Sequence, residues 1–249
     1  MQEKIEYHLS VLNKLINSSS HISVITGAGI STSCGIPDFR GPKGLYSRND
    51  IDAGKLFDLQ YFKKDPMYFY NTFRSLFEDC LNANPSPGHW FIKKLEMSGK
   101  LEILVTQNID GLHEKTGISN IIRAHGCFDK LTCLYCNYIV ISSKNHINKI
   151  LSGDAPVCPD CGNILKPDIV FFGEPVKGMT ESIFSIENSD LILAMGTSLS
   201  IYPVAQLPEY KKSSTPLVII NQGITGYDNT ADLKLDMPIN EVVEKLNFH

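Results

Sequence analysis

The sequence predicts an α/β protein in which a Rossmann-like parallel-sheet domain carries a small inserted module. Short apolar or β-branched runs alternate with helical segments along most of the chain, which is typical of a parallel sheet covered on both faces. Two segments interrupt this alternation: 42–86 combines an irregular loop with an aromatic-rich helix, and 127–165 is rich in cysteine. We therefore expect a discontinuous sheet domain over 1–41, 87–126 and 166–249, with the two inserts together forming the small module.

The bulk composition is that of an ordinary globular protein. The chain has 249 residues, of which 43% are hydrophobic and 20% are charged, so it can bury a sizeable core. The net charge of −4 gives no general attraction to nucleic acid or anionic membranes, although a local basic patch is compatible with it. No apolar run approaches the ~20 residues that span a bilayer, and the N-terminus has acidic residues where a secretory signal is apolar. We expect a cytoplasmic location, with a nuclear one as the alternative, and no direct binding to membrane or nucleic acid.

The elements follow from periodicity and boundary residues. Apolar residues at a helical period predict a helix over 3–17, and the apolar run 21–25 predicts a buried strand. Asp65 and Pro66 are typical of a helix start, so a helix is expected over 67–81. Further predicted strands are 101–106, 121–125, 167–172, 190–195, 216–220 and 231–235, and further predicted helices are 88–97 and 239–246.

Four of the seven cysteines form two C-x-x-C pairs. The pairs are Cys133 with Cys136 and Cys158 with Cys161. Each pair can direct two thiolates to one ion, and the two pairs together complete a tetrahedron that leaves no position for a catalytic water. We therefore predict one structural zinc ion in the second insert, as in a zinc ribbon. Four free thiols in a loop are the alternative.

A glycine-rich turn, G-A-G-I-S-T at 27–32, follows the first predicted strand. Gly27 and Gly29 would let the backbone approach a pyrophosphate, and a helix beginning there would add free N–H groups and a positive dipole end. The dinucleotide fingerprint is incomplete, because Thr32 stands where its third glycine would be. No acidic residue ends a second strand about 20 positions further on, so a hydride-transfer enzyme of the ordinary kind is disfavoured.

Polar residues directly follow several predicted strands. They are Gln107, Asn108, Asp110, Gly196, Thr197, Ser198, Asn221 and Gln222. Because ligands of open α/β sheets bind beyond the carboxyl ends of the strands, one cleft can collect all of them. Each residue alone could equally be a turn residue that satisfies its own backbone. His125 ends another predicted strand just before the cysteine-rich insert, where an imidazole suits proton transfer near neutral pH, although single histidines are also common in packing.

Together these motifs resemble those of the sirtuins, the NAD-dependent protein lysine deacylases. The matching stretches, in family order, are 27–41, T-Q-N-I-D-G-L-H at 106–113, H-G at 125–126, the four cysteines, K-P-D-I-V-F-F-G-E at 166–174, G-T-S-L at 196–199 and I-N at 220–221. The resemblance implies that NAD is consumed as a co-substrate and that nicotinamide is released. It further implies that the acyl group moves to the ribose, which leaves free lysine and O-acyl-ADP-ribose.

The resemblance also implies roles for individual residues. His125 would be the general base, and Asn108 a second catalytic residue. The NAD-binding residues would be Gly27, Ala28, Gly29, Thr32, Phe39, Arg40, Gln107, Asn108, Ile109, Asp110, His125, Gly196, Thr197, Ser198, Asn221 and Gln222. An acyl-lysine protein or peptide would add as a strand between the modules, against the backbone of Val170, Phe171, Phe172, Gly173 and Glu174.

Two other functions stay open at this point. Mono-ADP-ribosyl transfer would use the same pocket, but it has less need of a base on the ribose, so His125 favours deacylation. A zinc-ribbon module could instead bind a partner or nucleic acid without catalysis, but 127–165 has only three lysines and no basic–aromatic stripe. Relatives that prefer acidic acyl groups carry Tyr-x-x-Arg in the aromatic-rich helix, where this chain has Phe73 and Leu76, so an acetyl or longer apolar acyl group is expected.

Overall fold

The computed structural model describes residues 2–38, 44 and 51–248. Its larger sheet has six parallel strands in the order β3-β2-β1-β7-β8-β9. These strands are β1 (Ile22–Thr26), β2 (Leu101–Thr106), β3 (Ile121–Arg123), β7 (Leu191–Met195), β8 (Leu217–Ile220) and β9 (Leu233–Leu235). The predicted parallel sheet is confirmed. From β1, the chain adds β2 and β3 on one side and β7, β8 and β9 on the other, so the topological switch point lies between β1 and β7. Open α/β sheets bind ligands at such a switch point.

Helices cover both faces of this sheet, so its central strands are buried throughout. On one face lie α1 (Gln2–Ser18), α5 (Pro87–Met97) and α9 (Ile239–Glu244). On the other lie α8 (Met179–Asn188) and a 3-10 segment, Val204–Tyr210. Alternate strand residues supply the two cores: Val24 faces the first, and Ile25 faces the second. Among the described residues no helix is long and apolar enough to cross a bilayer.

The first insert is helical. It contains α2 (Ala53–Leu56), α3 (Leu59–Lys64) and α4 (Pro66–Asn82). Asp65 caps α4 by accepting a hydrogen bond from the Tyr68 amide at 3.2 Å, and Pro66 occupies the first turn, as the sequence predicted. The sequence predicts an irregular loop over about 42–58, of which 42–43 and 45–50 lie outside the described residues. The prediction is wrong at the end of the loop, because Asp52 caps the short helix α2.

The second insert contributes β4 (Gly126–Cys133), β5 (Ile139–Ile141) and α7 (Lys144–Ser152). A third strand, β6 (Leu165–Ile169), pairs antiparallel with β4 and completes a small sheet in the order β5-β4-β6. The sequence predicts a strand over 167–172 within the sheet-domain segment 166–249, and its place in the parallel sheet is wrong. An apolar run indicates a strand but does not say which sheet the strand joins.

Both inserts share one aromatic core. Phe69 and Phe73 of α4 stack with ring centroids 5.2 Å apart, and Phe73 also stacks on Phe128 of β4. Buried Tyr70 donates its hydroxyl hydrogen to the carbonyl oxygen of Leu165 at 2.5 Å, which ties α4 to β6. The helical insert and the cysteine-rich insert therefore pack as a single small module, as predicted.

Candidate active site

The turns that follow β1 and β7 lie backbone against backbone. The Gly29 amide donates to the carbonyl oxygen of Gly196 at 2.8 Å. A Cβ on Gly29 would lie 2.8 Å from that oxygen, and a Cβ on Gly196, whose φ is +63°, would lie 2.3 Å from the Ile30 nitrogen. Only glycine permits this approach. The glycine turn is thus fixed at the point where the sheet reverses its strand order.

The predicted α-helix directly after this turn is absent from the described residues. Two 3-10 turns, Ala28–Ile30 and Thr32–Cys34, stand in its place, so the expected helix dipole does not contribute. The hydroxyl of Ser31 points inward and donates to Asp110 Oδ2 at 2.7 Å. Any phosphate at this turn would therefore be held by local N–H and hydroxyl groups.

A cavity of about 330 Å³ opens beside the turn. Five residues predicted to bind NAD line it: Gly29, Thr32, Gly196, Asn221 and Gln222. Ser33 and Asp38, from the same stretch 27–41, also line it, although neither was assigned to NAD from the sequence. Met237 and Asn240 line it as well, and only the fold brings them to the end of the sheet. Backbone, hydroxyl and amide groups of this kind suit the ribose and phosphate parts of a nucleotide. Phe39 and Arg40 lie outside the described residues.

A second group of predicted residues meets beneath the glycine turn. Asn108 is buried and donates from Nδ2 to Ser31 Oγ at 3.2 Å, and Asp110 Oδ1 accepts from the Leu112 amide at 2.9 Å. Burial raises the pKa of Asp110. Ser31 thus links the side-chain amide of Asn108 to the carboxyl group of Asp110. No role was predicted for Ser31, and the sequence feature that could have indicated one is its position in the glycine-rich turn. Ile109 packs instead against the aromatic core of the small module.

The ends of β2 and β7 are joined through side chains. Gln107 donates from Nε2 to Thr197 Oγ1 at 2.9 Å, while that oxygen accepts from the Leu199 amide at 3.1 Å. The Ser198 hydroxyl lies 2.7 Å from the Ser200 hydroxyl. The polar residues at the ends of β2 and β7 therefore meet across β1, as their positions after strands predicted.

His125 lies between the sheet and the small module. Its Nδ1 is 2.9 Å from the carbonyl oxygen of Gln107. A carbonyl oxygen only accepts, so Nδ1 carries the proton and Nε2 is free to act as the base. Burial lowers the pKa of His125 and keeps the ring neutral at pH 7. The next residue, Gly126, has φ +74°, and a Cβ there would lie 1.9 Å from the carbonyl oxygen of Asp168, so the turn from β3 into β4 requires glycine.

The segment 170–174 passes directly beside His125. The Val170 amide donates to the carbonyl oxygen of His125 at 2.8 Å. Phe172 donates to the Phe57 carbonyl oxygen at 2.7 Å and accepts from the Leu59 amide at 3.3 Å, so one edge of the segment pairs with the helical insert. Phe171 is buried, whereas Phe172 is 52% exposed. The segment is thus held in place at the junction of the two modules.

The four cysteines of the C-x-x-C pairs converge on one point. All four Sγ atoms lie within 4.8 Å of one another, with 3.5 Å between Cys133 and Cys161 and 3.6 Å between Cys136 and Cys158. A tetrahedral site with Zn–S bonds of about 2.3 Å has S–S edges of roughly 3.8 Å, whereas a disulfide measures about 2.05 Å. The tetrad therefore fits one zinc ion, and its convergence favours zinc over the alternative of four free thiols in a loop.

Both cysteine turns have the same backbone geometry. The Asn137 amide donates to the Cys133 carbonyl oxygen, and the Gly162 amide donates to the Cys158 carbonyl oxygen, each at 2.9 Å. Asn137 and Gly162 have φ of +61° and +73°, and asparagine and glycine are the residues that tolerate this conformation best. The two turns are therefore matched halves of one metal-binding unit.

Two buried histidines, which the sequence analysis did not single out, lie behind the site. The rings of His89 and His113 have centroids 4.6 Å apart. The Ser86 amide donates to His89 Nδ1 at 3.1 Å, and Thr26 Oγ1 lies 3.1 Å from His113 Nε2. Burial lowers the pKa of His89 to about 4 and that of His113 well below its ordinary value. The pair is therefore neutral and packs behind the end of β1.

Acidification is expected to destabilise the fold through this pair. Below pH ~6.5 an unfolded histidine binds a proton, whereas folded His89 stays neutral until its pKa of about 4. The free energy of unfolding should therefore fall with decreasing pH, by about 3 kcal/mol from His89 alone by pH 4. Urea unfolding between pH 7 and 4 measures this slope. His89→Gln should flatten it, and an unchanged slope in His89→Gln contradicts the prediction.

Fold and site together define an α/β nucleotide-binding protein with a zinc-ribbon module and a candidate general base between the two. The model of the Sir2 family matches residues 27–203. The chain belongs to the Sir2 family, as the resemblance of its motifs to sirtuins indicated.

Relatives match along almost the whole chain. An NAD-dependent protein deacetylase of Saccharolobus solfataricus is 38% identical, covering 92% of this chain and 92% of its own. NAD-dependent protein deacetylase 2 of Geobacillus kaustophilus is 40% identical, covering 93% and 94%. A solved structure of Sir2 with a p53 peptide and NAD+ is 37% identical, with a TM-score of 0.84 and 95% of both chains covered. A histidine-to-alanine Sir2 variant with deacetylated p53 peptide and 3'-O-acetyl ADP ribose is 36% identical, with a TM-score of 0.87 over 95% of this chain and 96% of the other.

Proposed function

We propose that this chain is an NAD-dependent protein deacetylase in which His125 is the general base. The reaction consumes NAD, acetyl-lysine and one water molecule, and it yields nicotinamide, free lysine and O-acetyl-ADP-ribose. Similar proteins are named as deacetylases, and similar structures hold NAD with peptide or the acetylated ADP-ribose product. The observation that carries the proposal is the place of His125: its Nδ1 proton is donated to Gln107 at the sheet end, and its carbonyl oxygen accepts from Val170.

Residues at different places in the site would bind the two ends of NAD and transfer the proton. Bound NAD supplies a ribose carbon that becomes electrophilic when nicotinamide leaves. Asn108 and Asp110, joined through Ser31, would hold the nicotinamide end, and the cavity lined by Asn221 and Gln222 would take the opposite end. Nε2 of His125 would take the proton of a ribose hydroxyl, so that this oxygen can receive the acetyl group. The other NAD contacts assigned from sequence, including Phe39 and Arg40, stay predictions.

The substrate is an acetyl-lysine protein or peptide that adds along 170–174. One edge of this segment already pairs with Phe57 and Leu59, so an extended peptide would pair with the other edge. The module boundaries proposed from sequence are retained, except that Leu165–Ile169 joins the small sheet. A tetrad of thiols at zinc-binding distances suits a reducing compartment, which supports the proposed cytoplasmic location.

Product analysis tests the proposal. Purified protein is incubated with NAD and an acetyl-lysine peptide, and the products are identified by mass spectrometry. We expect one nicotinamide and one O-acetyl-ADP-ribose for each lysine released, and slower turnover of a succinyl-lysine peptide. ADP-ribose on protein without acetyl-ADP-ribose would support mono-ADP-ribosyl transfer instead. No consumption of NAD would support a non-catalytic binding module.

A further inference from the structure

Lys166 is a buried cation in the small module. The residue is 4% exposed, although it lies on β6 among apolar neighbours. A buried ammonium group is costly unless its donors are all satisfied. Here Nζ donates to the carbonyl oxygens of Pro167 at 3.2 Å and Ile169 at 2.7 Å, and it pairs with Glu174 Oε2 at 2.8 Å. It also lies 4.3 Å from the ring centre of Phe171. Each of these contacts is made within 166–174.

The partner of this cation closes the segment beside His125. Glu174 Oε2 accepts from the Phe171 amide at 2.8 Å, and the Glu174 amide donates to the Phe171 carbonyl oxygen at 3.0 Å. The carboxylate therefore bridges the buried ammonium and the backbone of the turn. Without Lys166, this carboxylate would keep a single amide donor and could turn outward to solvent.

We propose that Lys166 is a positioning residue for the acyl-lysine substrate, acting through Glu174. Segment 170–174 is anchored at Val170 by His125 and at Phe172 by the helical insert, and the Lys166–Glu174 pair fixes its remaining end. This inference rests on the proposed function, because it takes 170–174 as the peptide-binding edge. In this inference, the Lys166–Glu174 ion pair determines the conformation in which segment 170–174 meets the peptide.

If Lys166 positions the peptide, its loss should raise KM for the peptide and leave KM for NAD nearly unchanged. If Lys166 is merely structural, its loss should affect both KM values. Lys166 lies in the module that carries the peptide edge, while the candidate NAD cavity lies at the end of the parallel sheet. Lys166→Met is therefore expected to raise KM for an acetyl-lysine peptide about tenfold, and to change KM for NAD and kcat at saturating peptide less than threefold. Lys166→Arg, which keeps a cation beside Glu174, should recover most of the peptide KM.

The matched control is Lys177→Met. Lys177 pairs with Asp168 of β6 at 2.5 Å, but this pair is more exposed, and among the described residues no hydrogen bond or ion pair joins Lys177 to Glu174. This control should leave both KM values within twofold of the wild type. Thermal unfolding confirms that each variant is folded. If Lys166→Met does not fold, Glu174→Gln gives the same comparison, since it removes the charge but keeps an oxygen for the Phe171 amide.

Peptide affinity is also measured directly, by fluorescence anisotropy of a labelled acetyl-lysine peptide. A folded Lys166 variant with unchanged peptide KM and affinity overturns the inference. Equal increases in KM for peptide and for NAD also overturn it, because they indicate general damage. Wild-type protein that binds the peptide but forms no O-acetyl-ADP-ribose would contradict the proposed function alone, since the effect of Lys166 on affinity could still be observed.

Discussion

Cys158→Ser is expected to lose the zinc ion and to unfold the small module. Cys133 and Cys158 are buried, and β4 ends at Cys133, so the cysteine turns form one end of the small sheet. Four thiolates within 4.8 Å repel one another unless a cation balances them. Structural zinc contributes about 10–16 kcal/mol in zinc-finger peptides, which is comparable to the total stability of a domain, about 5–15 kcal/mol.

Metal content and unfolding are measured together on the purified protein. Wild type should carry one zinc per chain, and Cys158→Ser should carry almost none and unfold at a much lower temperature. The loss of zinc should also disturb the proposed peptide-binding segment 170–174. Tyr70 is hydrogen-bonded to β6, and Phe171 belongs to the same aromatic core as Tyr70. Cys80→Ala is the control: this buried cysteine lies outside the tetrad, so its variant should keep the zinc. A Cys158→Ser protein with full zinc and wild-type melting would refute the assignment.

Features encoded by neighbouring residues could be predicted from the sequence. The strand at 101–106 and the helix that begins at Pro66 match the structure, because a local apolar pattern and a local cap determine each of them. The zinc tetrad follows from the same logic. Each C-x-x-C turn is complete within five residues, and two such turns have few other ways to satisfy four thiols.

Features that depend on distant pairing could not be predicted. The strand predicted at 167–172 overlaps β6, but β6 pairs with β4 and not with β1 or β7. Ser31 lies in the glycine-rich turn, yet its hydroxyl hydrogen is donated to a carboxylate 79 residues away. His89 and His113 meet only because α5 and α6 (Leu112–Lys115) pack behind the same strand end. No single-sequence pattern carries the information for such contacts.

His125→Ala is expected to reduce deacetylation by a factor of 10² to 10⁴, the usual contribution of a general base. KM for NAD should change less than threefold, because the cavity lined by Asn221 and Gln222 does not include this ring. Exchange of labelled nicotinamide into NAD should survive better than overall turnover, since the proposed proton transfer follows the departure of nicotinamide. His21→Ala, a surface change, should behave as wild type.

The pH profile of the wild type tests the same assignment without a mutation. The base must be neutral, so the rate should fall as acidification protonates His125. Burial lowers the pKa of His125, which places this acid limb below the ordinary histidine value of about 6.5. Assays must stay within the pH range where unfolding curves show the protein folded, because acidification also destabilises the fold through His89.

For His125→Ala, equal losses of nicotinamide exchange and of turnover would mean that the ring positions NAD. Deacetylation would then need another base.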